Sequence, residues 1–122
     1  MKKFLCAVLF VLVLAGLSYA IEDAGTVSFR DFVAQTRNSV KLERLYLGKY
    51  VTVTGCAVSN IHAKGNDYVL RAWDGDYVYF TFTAANSEQI ADLDRGDVVT
   101  IRGIVQHNQY GFVTLYNCEI IE

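Results

Sequence analysis

The chain has 122 residues, a length that suits one domain. Its 13 acidic residues outnumber its 11 lysines and arginines, which gives a net charge of −2 with both histidines neutral. This balance argues against strong nonspecific binding of nucleic acid, which comes mostly from basic residues that neutralise phosphates.

The first 20 residues have the layout of a secretory signal peptide. Lys2 and Lys3 form a positive start, and residues 4–17 are an apolar run of 14 residues. Ser18 and Ala20 then supply small side chains at the −3 and −1 positions of a cleavage site. A membrane anchor is the alternative, but spanning the hydrocarbon core takes about 20 residues. We therefore predict a periplasmic or secreted bacterial protein, with no membrane span after cleavage of residues 1–20.

The predicted mature chain keeps nine basic residues against 13 acidic ones, a net charge of −4. Cys6 lies near the start of the apolar run and not at its end, so a lipid-anchoring signal is not expected. Cys56 and Cys118 remain, and an even number of cysteines in an exported protein suggests a disulfide between them. Two separate buried thiols are the alternative.

A helical segment is predicted at the start of the mature chain, over residues 21–47, packed on a barrel formed by residues 48–122. The residues before Ser28 read as a loose terminus, and Ser28 is a suitable N-cap for a helix over residues 29–37. A second helical piece follows over residues 40–46, with Leu42 and Leu45 facing inward.

From Lys49 onward the apolar pattern has a period of two, which is typical of strands. Five strands are predicted, with a turn around residues 64–67, a tight hairpin over residues 74–76, and a short helix over residues 86–93 that is capped by Asn86. The strands cover residues 49–61, 68–73, 77–83, 98–106 and 112–121. In the first strand, Val51, Val53, Gly55 and Ala57 fall on one face, and Thr52, Thr54 and Cys56 fall on the other.

The alternation also predicts the side chains that line the barrel. These are apolar residues at the alternate strand positions that point into the barrel: Val51, Val53, Leu70, Val78, Phe80, Phe82, Val99, Ile101 and Leu115.

The stretches GKYVTVTG (residues 48–55) and GDVVTIRG (residues 96–103) repeat one pattern. In both, a glycine and a charged residue precede alternating β-branched residues and a second glycine, which allows the sharp coiling of a small barrel. The tripeptide Arg95-Gly96-Asp97 is therefore interpreted as a turn that enters a strand, and not as a cell-adhesion signal.

The order of one helix, three strands, a short helix and two strands is that of an OB-fold, a five-stranded Greek-key barrel. The sequence also resembles the exported tRNA-anticodon-binding-like OB-fold proteins of bacteria, over about residues 29–121. The resemblance is carried by the YNCEI ending and by Asn38, Tyr46, Gly48, Lys49, Gly55, Gly96, Asp97 and Gly103. It implies the fold, and by analogy a nucleic-acid ligand.

A catalytic or metal-binding constellation is not evident in the sequence. The two histidines, His62 and His107, fall in predicted loops and lack the spacing of a zinc site. Asp74 and Asp76 flank Gly75 as turn residues do. We predict a protein that is not an enzyme, with no cofactor and no metal.

The predicted ligand-binding face lies on the outside of the second and third strands, where OB-folds bind oligonucleotides or oligosaccharides. Arg71, Trp73, Tyr77 and Tyr79 have outward parity there, and aromatic rings stack on bases or sugars. Ordinary cross-strand aromatic pairs are the alternative. The predicted flanking loops contribute His62, Lys64, Asn66, His107 and Tyr110.

Two kinds of partner remain open from the sequence. One is an oligosaccharide or single-stranded oligonucleotide, and the other is a protein of the cell envelope. Weak binding of nucleic acid is predicted, because Arg30, Arg37, Lys41 and Arg44 belong to the helical segment, away from the predicted face.

Overall fold

The computed structural model describes residues 21–107 and 112–121. These residues form six strands, two α-helices of which the second continues into a π-helical turn, and one 3₁₀ turn. The elements are β1 (Asp23–Ser28), α1 (Phe29–Thr36), α2 (Ser39–Lys41) with its π-helical turn (Leu42–Tyr46), β2 (Tyr50–Lys64), β3 (Asp67–Trp73), β4 (Tyr77–Phe82), the 3₁₀ turn (Ser87–Gln89), β5 (Val98–His107) and β6 (Val113–Ile120).

The strands form one sheet in the order β1-β2-β3-β4-β6-β5, and it closes on itself because β2 also pairs with β5. Neighbouring strands are antiparallel, except that β1–β2 and β4–β6 are parallel. The predicted OB-fold is confirmed, and its five strands are β2–β6. In the described part, no helix is long and apolar enough to cross a bilayer.

β1 is a sixth strand, and the sequence pattern did not predict it. The expectation of a loose terminus before Ser28 was therefore wrong. β1 runs parallel to the first part of β2, with Asp23 opposite Tyr50. Arg102 holds the two together: its guanidinium lies 3.3 Å from the Asp23 carboxylate and 3.8 Å from the centre of the Tyr50 ring. The backbone N–H of Gly25 and the Arg102 side chain lower the pKa of Asp23.

The helical segment contributes to the same core as the barrel. The Ser28 hydroxyl accepts a hydrogen bond from the Asp31 N–H at 3.1 Å, which confirms the predicted N-cap. The buried Phe29 ring lies 6.5 Å from that of Phe80 in β4. Leu42 is buried as predicted, but the inward position predicted for Leu45 was wrong, because the π-helical turn rotates Leu45 outward and buries Tyr46 instead.

All nine side chains predicted to line the barrel are buried: Val51, Val53, Leu70, Val78, Phe80, Phe82, Val99, Ile101 and Leu115. The register of the sheet accounts for this, because Phe80 lies opposite Leu70 in β3 and opposite Leu115 in β6.

The alternation predicted for the first strand fails beyond Val53. A bulge at residues 54–55 places one extra residue in β2 between the pairs Val53–Ile101 and Cys56–Val99. Gly55 takes a φ of +71°, which a side chain would disfavour. The extra residue reverses the faces, so Cys56 is buried and Ala57 is exposed, the opposite of the prediction.

A second bulge, in β6, turns Cys118 into the core. Asn117 has a φ of +53°, and the pairing shifts between Arg102 and Ile104 on the neighbouring strand. A side chain on Gly103 would place its Cβ 2.7 Å from the Cys118 sulfur, so a glycine is needed there for space. Both Cys56 and Cys118 are buried free thiols in the structure, and the disulfide between them stays a prediction.

The predicted capped helix after the third strand is a single 3₁₀ turn. Asn86 makes no capping hydrogen bond; its side-chain amide instead donates to the Cys118 carbonyl at 3.2 Å. The Gln89 side chain accepts from the Ile120 N–H at 2.8 Å. Both side chains therefore attach the turn to β6, and Asn86 is not available as a helix cap.

Arg95-Gly96-Asp97 is a turn that leads into β5, as predicted. The Gly96 N–H donates to the Val58 carbonyl and the Val58 N–H donates to the Asp97 carbonyl, both at 2.8 Å. The Asp97 side chain is also engaged, since it accepts from the Asp94 N–H at 2.8 Å.

Candidate functional site

An aromatic row crosses the outer face of the barrel from β3 to β6. We define it as Trp73, Tyr77, Tyr79 and Phe112. The ring centres are 4.6 Å apart for Trp73 and Tyr77, and 6.4 Å apart for Tyr77 and Tyr79. Tyr79 stacks on Phe112 at 5.6 Å. Trp73, Tyr77 and Tyr79, which were identified from the sequence, thus lie together in one continuous surface.

The row exists because strand pairing places outward residues side by side. Trp73 is opposite Tyr77, and Arg71 is opposite Tyr79. Phe112 joins them because β6 begins beside β4, in a parallel pairing between strands that are not consecutive in sequence. Trp73 is 53% exposed and Phe112 39%, so the two ends of the row present ring surface to solvent.

Arg71 is the cation of this face. Its guanidinium carbon lies 4.4 Å from the centre of the Tyr77 ring, a cation–π contact. Within the described residues, its buried Nε has no hydrogen-bond partner.

Thr114 supplies a second buried polar atom without a partner. It pairs with Tyr79, is 5% exposed, and its hydroxyl has no hydrogen-bond partner among the described residues. Leaving a buried polar group unsatisfied costs about 1–3 kcal/mol. Arg71 and Thr114 are the two cross-strand neighbours of Tyr79. Each side of Tyr79 therefore has a buried polar atom that forms no hydrogen bond with the described residues.

The first predicted loop is partly strand. β2 continues to Lys64, so the loop position expected for His62 was wrong. His62 pairs with Val69, and Lys64 pairs with Asp67. Asn66 lies in the two-residue turn between β2 and β3. His62, Lys64 and Asn66 are all exposed, and they lie towards the β2–β3 hairpin, at the end of β3 opposite to Trp73 and Tyr77.

The second predicted loop is only partly described. The loop position expected for His107 was also wrong, because His107 is the last residue of β5 and pairs with Val113. Its imidazole lies 3.9 Å from the carboxylate of Glu43 in the π-helical turn. Tyr110 lies outside the described residues.

A cavity of about 240 Å³ adjoins the aromatic row, between the end of α1 and the starts of β4 and β6. Its walls include two rings of the row. The lining residues are Val33, Thr36, Arg37, Asp76, Tyr77, Val78, Phe112 and Val113.

An ion pair lies on the cavity wall, with Arg37 Nε 2.7 Å from Asp76 Oδ2. Gly75 makes room for it, since a Cβ at that position would collide with the Arg37 guanidinium. The placement of Arg37 away from the predicted face was therefore wrong: the end of α1 packs against the β3–β4 hairpin. The sequence gives no local signal for this contact, because 39 residues separate the partners.

The titratable groups of the described residues do not assemble a metal centre. Across residues 21–107 and 112–121, no group of three or more His, Cys, Asp or Glu side chains could hold a metal ion. Burial raises the pKa of the Cys56 thiol to about 12 and that of Cys118 well above its usual value. Burial therefore keeps both thiols in the protonated form, which is the weaker nucleophile.

A closed, five-stranded Greek-key barrel places this protein in the OB-fold class. The chain belongs to the tRNA_anti-like family, whose sequence pattern matches residues 19–120. Among curated protein sequences, none matches the chain significantly.

Solved structures support the same assignment. The crystal structure of a "putative nucleic acid-binding lipoprotein" from Klebsiella pneumoniae is similar over 88% of this chain and 97% of that chain, with 27% identity and a TM-score of 0.67. Asparaginyl-tRNA synthetase from Pyrococcus horikoshii matches over 62% of this chain but 20% of the enzyme, with 22% identity and a TM-score of 0.53. The S. pombe Stn1-ten1 complex matches over 60% of this chain and 58% of that chain, with 17% identity and a TM-score of 0.50. The last two share the fold alone.

Proposed function

We propose that this chain is an exported, non-catalytic binding module that holds an oligomer of ring-shaped units on the aromatic row. The ligand is of the oligosaccharide or single-stranded nucleic acid type. The observation that carries the proposal is the continuity of the row, in which four rings contact one another in sequence across β3, β4 and the start of β6.

Stacking on such rings suits a repeating ligand. Each base that stacks on an aromatic side chain contributes about 1–3 kcal/mol, and an apolar sugar face packs on the same surface. The guanidinium of Arg71, which lies over the Tyr77 ring, would bind polar groups of the ligand beside the row. The name of the Klebsiella protein supports a nucleic-acid ligand, whereas the acidic charge of this chain favours a neutral one.

The test is a binding titration that is read through Trp73, the only tryptophan in the chain. Neutral hexasaccharides and a ten-nucleotide oligo-dT would be added to the mature chain, residues 21–122. We expect the emission of Trp73 to change with at least one of these probes. Isothermal titration calorimetry would then measure the affinity of the variants without relying on Trp73 emission.

The matched variants are Tyr77→Ala and Tyr50→Ala. Both remove a partly buried tyrosine that lies beneath an arginine, Arg71 for Tyr77 and Arg102 for Tyr50. Tyr77→Ala should weaken binding at least tenfold, and Tyr50→Ala should leave it unchanged. Equal effects of the two variants, or binding only to an envelope protein, would contradict the proposal.

Export is proposed from the first 20 residues and is tested separately. Intact-mass spectrometry of the protein purified from the periplasm should give a chain that starts at Ile21. Recovery of the full 122-residue chain from the cytoplasm would argue against export.

A further inference from the structure

We infer that the cavity beside Arg37 and Asp76 is an end subsite of the aromatic row, and that it takes one uncharged, hydroxyl-bearing ring of an oligosaccharide. This inference rests on the proposed function, and it names the class of ligand.

The cavity and the row form one surface. Tyr77 and Phe112 line the cavity and are also members of the row. At about 240 Å³, the cavity is smaller than the roughly 300–1,000 Å³ of pockets that enclose a whole small ligand. It therefore suits a single ring, with the rest of the oligomer lying along the row toward Arg71.

The polar groups of the cavity match a sugar. A guanidinium only donates hydrogen bonds and a carboxylate only accepts them, whereas a hydroxyl does both. The Arg37–Asp76 hydrogen bond uses Nε and Oδ2, so the Arg37 Nη atoms and Asp76 Oδ1 remain for a ligand. Two adjacent hydroxyls could bind to both residues without adding charge, and the aromatic walls would contact the carbon face of the ring.

The charges around the site oppose a polyanion. The cations Arg37 and Arg71, which lie at the cavity and beside the row, are matched by two acidic residues of the β3–β4 hairpin, Asp74 and Asp76. Each nucleotide would bring a phosphate to a surface without net positive charge. Phosphate contacts dominate the affinity of nucleic-acid-binding proteins, so this balance favours a neutral chain of sugars.

The test compares neutral hexasaccharides (cellohexaose, maltohexaose and chitohexaose) with a ten-nucleotide oligo-dT at physiological salt. The mature chain and the variant Asp76→Asn would be titrated by calorimetry. Asp92→Asn is the matched control, because Asp92 is an exposed carboxylate remote in sequence from the cavity. We expect one hexasaccharide to bind more tightly than oligo-dT, Asp76→Asn to weaken it about tenfold, and Asp92→Asn to leave it unchanged.

Chain length provides a second measurement. Shortening the saccharide by one ring should weaken binding to the mature chain and have little effect on Asp76→Asn, in which the end subsite is already impaired. Tighter binding of oligo-dT, or hexasaccharide affinity in Asp76→Asn within twofold of the parent, would overturn the inference. If either result overturned the inference but Tyr77→Ala still abolished binding, the proposed function would stand without the subsite. If no probe bound to the mature chain, the proposed function and the subsite would both be refuted.

Discussion

Phe80→Ala tests the register on which the binding face depends. Phe80 is 0% exposed in β4, between Leu70 and Leu115 on the neighbouring strands, and its ring lies 6.5 Å from Phe29. Truncation of a buried phenylalanine to alanine costs about 3–5 kcal/mol. Small domains have a free energy of unfolding of about 5–15 kcal/mol, so the loss is a large fraction of the total. At roughly 4–8 °C per kcal/mol, Tm should fall by at least about 12 °C.

Trp73→Ala is the matched variant from the outer face. Trp73 is 53% exposed and contacts the Tyr77 ring, an aromatic pair worth about 0.5–1.5 kcal/mol beyond its buried area, so its removal should cost less than Phe80→Ala. Urea denaturation followed by far-UV circular dichroism measures both variants without relying on tryptophan emission. A slip of one residue would exchange the two faces of β4. Equal losses in the two variants, or a larger loss in Trp73→Ala, would refute the register and the binding face with it.

Further predictions concern the bulge in β6, the thiols and nucleic acid. Gly103→Ala should lower the free energy of unfolding by about 1–3 kcal/mol, because the added Cβ would lie 2.7 Å from the Cys118 sulfur, and Cys118→Ala should restore part of the loss in urea denaturation. In protein purified from the periplasm, we expect a Cys56–Cys118 disulfide. A thiol titration after unfolding without reductant should then detect no reactive thiol, and two reactive thiols would argue against the disulfide. In the reduced protein, the pKa of Cys56 is raised from 9.0 to about 12, so stability should be intact below pH 9 and fall between about pH 9 and 12, where only the unfolded thiol ionises. The Cys56→Ala, Cys118→Ala double variant should show a smaller decline. Single-stranded DNA should bind with a Kd weaker than about 10 μM at physiological salt in fluorescence anisotropy, whereas tight binding with a steep salt dependence would restore a nucleic-acid ligand.

The barrel was predictable because its signals are local. Alternating apolar residues identify β2–β6, and the repeated Gly-charged-Val pattern marks the entry to two of these strands. Inward parity alone was enough to find Phe80, Leu70 and Leu115, which meet in the core. The aromatic residues of β3 and β4 follow from the same alternation, because their strands pair through a short hairpin.

The features that escaped prediction depend on contacts between distant segments. β1 has a polar, exposed sequence, and its strand conformation comes from pairing with β2. The bulge at Gly55 reverses the faces of β2, and a glycine by itself does not reveal an extra residue. Phe112 reaches Tyr79, and Arg37 reaches Asp76, only after the barrel has formed.

The position of β6 has a consequence for how the chain folds. β6 is the last described strand, yet it lies between β4 and β5, parallel to β4 and antiparallel to β5. Until residues 113–120 have been synthesised, β2–β5 can form at most an open sheet whose apolar face is uncovered. Contacts of such long sequence separation slow folding and expose partly folded chains to aggregation. A partner that shields the open edge until synthesis is complete would protect this protein more than one whose strands pair in sequence order.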